Sequence, residues 1–182
     1  MTMGPTLVNS LFFLIILLTQ TLGTLAGYSG SSALVGALIL MLHLRLKGWA
    51  SHEVKTLLTA FLFGGAFEGL AVHQEWIRYQ GSAGYHAIPW WILILWMSVG
   101  LLFGGALHRL KPHPLQAFFL GGCMGMLFVM AGEQVGLLMI PDPASDLKWM
   151  GLGWGVGFAC LTALTRRFES QAPKTFTAET RS

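Results

Sequence analysis

The stretch from Thr56 to Trp76, TLLTAFLFGGAFEGLAVHQEW, decides how the chain is read. A bilayer core about 30 Å thick takes about 20 apolar residues of helix, and this stretch supplies them. It also carries a carboxylate, Glu68, inside the apolar run. An ionisable group at that depth costs about 2.5–3.5 kcal/mol on insertion scales, so it faces a partner or a cavity. Gly64, Gly65, Ala71 and Val72 lie one helical turn either side of Glu68, with Glu75 two turns on. The result is one helix face made mostly of small and acidic residues.

The rest of the composition agrees with a membrane solvent. Of the 182 residues, 54% are hydrophobic and only 10% are charged. Soluble domains carry about 25% charged residues. A chain this size cannot hide so much apolar surface in one aqueous core. The net charge of +3 is spread along the chain, with no clustered basic surface, so nucleic acid is not an expected partner. Cys123 and Cys160 lie in apolar runs without metal spacing, and are expected to be small buried residues, not a disulfide.

Five further apolar runs flank the opening stretch: Leu7–Ala26, Ala33–Leu46, Pro89–Leu107, Leu115–Ile140 and Trp149–Leu164. The first lacks the basic n-region of a signal peptide and is expected to be a retained span. Pro89 suits the first turn of the fourth, whose Trp90 and Trp91 are assigned to the interfacial aromatic belt. Glycines at 151, 153, 155 and 157 satisfy GxxxG twice in the sixth, a packing face and not a phosphate loop. The fold expected is all-α: a polytopic bundle of about six transmembrane helices over residues 1–165, with a polar tail at 166–182. Six spans put both termini on one side. Arg45, Lys47, Lys55, Arg109, Lys111, Arg166, Arg167, Lys174 and Arg181 fall on that side, against Arg78 and Lys148 on the other. The positive-inside rule then gives N-in and C-in in a bacterial inner membrane.

Two glutamates are the expected reactive groups. Glu68 lies eight residues before Trp76 and Glu133 eight before Pro141, so both sit about 12 Å of helix rise below the outer ends of their spans. If they converge, the pair should titrate as a unit. Otherwise each is a separate hydrogen-bonder. His73, Glu75, Gln134, Trp90 and Trp91 are the expected substrate contacts around them, with Tyr85, His86 and Asp142 on the same rim. Glu68, His73, Glu75, His86 and Glu133 lack the three- or four-residue spacing of paired helical ligands, so neither metal nor cofactor is expected. Gly27-Tyr28-Ser29-Gly30 has the GxSG shape of intramembrane serine proteases, but it falls between spans and reads as a turn. His108 and His113, flanking Arg109 and Lys111, read as headgroup contacts.

With the spans in place, the chain resembles a family of small bacterial inner-membrane proteins known only as a domain of unknown function. The resemblance rests on Asn9 before Phe12 and Phe13, Glu68 in the third span, and Pro89, Trp90, Trp91 and Trp96 in the fourth. Gly121, Gly122, Ala131, Gly132 and Gly136 in the fifth complete it, over about residues 7 to 165. Glu133-Gln134 departs from the small or basic pair expected there. The family implies no established activity, and its apparent association with lipid-modifying enzymes points toward lipid. The expected function is an acidic outer-leaflet pocket that binds or modifies a lipid or other amphipathic small molecule. The alternatives are a non-catalytic subunit packing against a larger membrane complex, and a small proton-coupled transporter.

Overall fold

The computed structural model describes residues 4–80 and 87–171. Six α-helices run α1 Pro5–Leu25, α2 Ser29–Leu46, α3 Ser51–His73, α4 Trp90–Phe103, α5 Pro114–Gln134 and α6 Pro143–Ser170. A 3₁₀ turn, His108–Leu110, follows α4. Two short strands, β1 Arg78–Tyr79 and β2 Leu138–Met139, pair antiparallel and join the α3–α4 connection to the α5–α6 connection. Five of the helices are long and apolar enough to cross a membrane, and α4 is a shorter apolar helix.

The shortness of α4 follows from where it lies. Its 14 residues span about 21 Å, less than the hydrocarbon core. It packs against α1, α2, α3 and α6, and all of it except Trp90 and Met97 is buried. A helix apolar all round belongs inside protein, and irregular backbone at membrane depth is tolerated only there. Beyond Phe103 the chain turns at Gly104 and Gly105, against which Asn9 of α1 packs. The Asn9 amide donates to the Leu101 carbonyl at 3.3 Å, satisfying one of the last acceptors of α4.

Glycine seams bring the other helices in. A methyl group on Gly64 would overlap Trp96, on Gly121 Phe158, on Gly125 Trp154, on Gly153 Phe67 and on Gly157 Phe63. Gly155 lies against the Phe118 carbonyl of α5, where a Cβ would sit 2.9 Å from the oxygen. Small residues thus serve as sockets for rings, the close approach expected of GxxxG faces. The rings meet in one aromatic centre, with Trp96 and Trp154 at 4.5 Å and Phe103 and Phe158 at 5.4 Å.

Several expected boundaries move. The fifth helix stops at Gln134 and not at Ile140. Gly136, at φ +79°, takes the left-handed position that closes a helix end, with Leu137 N–H donating to Gly132 O and Gly136 N–H to Glu133 O. The sixth helix begins at Pro143 and not at Trp149, because Asp142 caps α6 by accepting from Ala144 N–H at 3.2 Å and Pro143 fits the first turn. At the other end α6 takes in Arg166 and Arg167 and runs to Ser170, and residues 172–182 of the expected tail lie outside the described residues. Cys123 and Cys160 are free, as expected, but exposed on the bundle surface instead of buried, where apolar surroundings suit a thiol equally well.

Candidate functional site

Polar side chains gather at both ends of the bundle. At the end that carries the β1–β2 ribbon, Glu68 is fully buried. Tyr79 Oη donates to Glu68 Oε2 at 2.5 Å and Trp96 Nε1 to Glu68 Oε1 at 2.7 Å. Burial and the adjacent carboxyl push the Tyr79 phenol well above its ordinary value, so it keeps the proton it donates. Glu133 sits one residue from the end of α5, shallower than expected because that helix ends early, and its Oε1 accepts from Ile140 N–H at 3.0 Å. The two carboxylates therefore hold the two sides of one ribbon, Glu68 through Tyr79 of β1 and Glu133 through Ile140, the residue directly after β2. A ribbon of two-residue strands is marginal alone. Side chains hold this one, helped by Trp91 Nε1 donating to Gln80 O at 3.2 Å.

The other expected contacts scatter. Trp91 is fully buried, edge-on to Tyr79 at 5.6 Å, and is not an interfacial belt residue; its indole N–H has found a backbone acceptor instead of the headgroup layer. Trp90, His73 and Gln134 are exposed. Glu75 is exposed too and pairs with Arg78 at 3.0 Å. Tyr85 and His86 lie outside the described residues. Ser29 opens α2 directly after Gly27, at φ +84°, in keeping with a turn.

At the opposite, basic end lies a polar cavity of about 70 Å³. Its walls come from five helices: Asn9 of α1, His43 of α2, His52, Glu53 and Thr56 of α3, the Gly100–Gly104 end of α4, and Thr165 and Glu169 of α6. His43 is 1% exposed and stands edge-on to Phe12, ring centres 4.9 Å apart. His43 Nε2 faces Glu53 Oε2 at 3.6 Å, and Lys47 Nζ lies 3.7 Å from Glu53 Oε1. Among the described residues no group hydrogen-bonds Asn9 Oδ1 or His43 Nδ1, and His43 Nε2 and Glu53 Oε2 have only each other, 3.6 Å apart. A buried polar atom left unmatched costs about 1–3 kcal/mol, so such atoms in one cavity mark a place built for a polar guest. The volume suits about four or five water-sized groups.

The chain belongs to the family described as "Protein of unknown function (DUF2878)". The family model matches residues 6–160, which take in the ribbon, its tethers, and Asn9, His43 and Glu53 of the cavity. The match ends before Thr165 and Glu169, the wall that α6 adds. No curated protein and no solved structure matches this DUF2878 member.

The cavity was missed in the sequence for a physical reason. His43 and Glu53 flank the short charged connection RLKGWASHEVK, which reads as ordinary solvated loop. Only the packing of α1 and α6 over it buries them. The available signal was Asn9, a buried amide near the start of an apolar helix.

Proposed function

We propose that this protein binds the polar end of an amphipathic membrane molecule, a lipid or lipid-like compound, in the cavity at its basic end. His43 and Glu53 hold that group and exchange a proton with it. The observation that carries the reading is the pair of unmatched buried atoms, Asn9 Oδ1 and His43 Nδ1, beside the His43–Glu53 contact around a single small cavity. An imidazole and a carboxylate 3.6 Å apart are close enough for one guest atom to reach both, the arrangement general acid–base chemistry needs. A space of about 70 Å³ suits a hydroxyl, amine or ester rather than a whole headgroup. In this reading the membrane is a bacterial inner membrane, and the excess of Arg and Lys at this end supports a cytoplasmic side for it.

In this reading Glu68 and Glu133 are tethers of the ribbon, because both Glu68 oxygens already accept hydrogen bonds. The transporter alternative needs a polar path between the ends. Along α3 the buried residues between Thr56 and Glu68 are Leu57, Ala60, Gly64 and Phe67, an apolar stretch that separates the two polar groups by about 18 Å. The test is to titrate purified protein with a total membrane lipid extract and follow thermal unfolding. Wild type and Glu68→Gln should be stabilised alike, and Glu53→Gln and His43→Phe much less. Equal stabilisation of all four would remove the cavity from the function.

A further inference from the structure

A second cavity lies close by at the same end, and its chemistry is different. Lys111, Pro114, Ala163, Arg166, Arg167 and Ser170 line an open groove of about 430 Å³ between the start of α5 and the last turns of α6. That is within the range of small-molecule sites, about 300–1,000 Å³. Lys111 is held in place: it is 6% exposed and bonds the Glu169 carboxylate, which itself lines the first cavity. Arg166 and Arg167 are exposed, with no carboxylate paired to either among the described residues. The Ser170 hydroxyl is committed to the Arg167 carbonyl at 2.8 Å, so the cavity's free donors are the guanidinium groups.

We infer that this cavity seats the phosphate of an anionic phospholipid, with Arg166 and Arg167 as the ligands and Lys111 as fixed positive background. Guanidinium forks match phosphate oxygens in bidentate fashion. A lipid fits better than a free anion because Pro114 and Ala163 place apolar wall beside the cations. Leu115, 68% exposed next to Pro114, continues the apolar surface along α5 for an acyl chain. Basic pockets between membrane helices at this depth suit anionic headgroups. This inference uses different residues from the proposed function and does not depend on it.

The experiment titrates full-length protein in neutral detergent with short-chain phosphatidylglycerol, with short-chain phosphatidylcholine and with inorganic phosphate, reading affinity by calorimetry. Each cation near an anionic headgroup contributes about fivefold in affinity, so Arg166→Gln/Arg167→Gln should weaken phosphatidylglycerol about 30-fold. Both side chains are exposed, so the variant should fold, which its unfolding curve checks. Arg109→Gln, exposed at the same end but outside the cavity, should change nothing. Equal affinity for phosphatidylcholine would overturn the inference, as would inorganic phosphate binding as tightly as the lipid. So would an Arg109→Gln loss matching that of the double variant.

Discussion

Replacing Glu68 separates a tether from a reacting group. Trp96 Nε1 can only donate, whereas the Tyr79 hydroxyl can donate or accept. In Glu68→Gln the amide oxygen can keep the Trp96 bond, and the hydroxyl can turn to accept from the amide nitrogen. Both contacts survive, and the expected cost is about 1 kcal/mol. Glu68→Met has similar length but no acceptor, so it leaves two buried donors unmatched at about 1–3 kcal/mol each. The sum, about 2–6 kcal/mol, is a large part of a typical stability of about 5–15 kcal/mol. Burying the thioether offsets some of it, so the lower half of that range is the expected net loss. Unfolding in a denaturing detergent series, followed by tryptophan fluorescence, measures the difference, and Trp96 reports on the site itself. Methionine as stable as glutamine would mean that the two hydrogen bonds do not hold the ribbon to the bundle.

Other expectations follow from packing and topology. Gly153→Leu and Gly155→Leu should each lose about 1–3 kcal/mol or fail to fold, whereas Gly30→Ala, in open space on α2, should be neutral or gain up to about 1 kcal/mol; equal thermal stability of all three would mean that the α6 glycines face lipid. The stacked Trp76 and Trp149, ring centres 5.6 Å apart, join the connection after α3 to α6, and a double-mutant cycle to Leu should give a coupling of about 0.5–1.5 kcal/mol, with zero coupling refuting the stack. In a cysteine-free background, single cysteines at Ser29 and Ser145 should react with an impermeant thiol reagent from one side of the membrane and one at Ser51 from the other; labelling of all three from one side would break the six-span topology.

Much of the fold was legible because membrane helices are written in long apolar runs. All six expected spans correspond to helices, and the glycine faces of α5 and α6 pack against side chains of neighbouring helices. The misplaced ends have local causes: apolar residues continue past Gln134 into the ribbon, so hydropathy could not see the stop that Gly136 makes. Tethering of Glu68 was half legible. Its burial followed from the cost of a charge in hydrocarbon, but its partners Tyr79 and Trp96 come from a loop and another helix, which no spacing rule connects. The cavity around His43 and Glu53 was the least legible, since its residues are polar at a helix end and gain their meaning only from the helices packed over them.

On the proposed function, the cavity at the basic end holds a polar guest from the membrane. Native mass spectrometry of protein released gently from its own membranes tests this most directly. Wild type and Glu68→Gln should carry the same bound amphipathic species, and that species should be missing from Glu53→Gln and from His43→Phe. Retention of the same species in both cavity variants, at wild-type occupancy, would contradict the account.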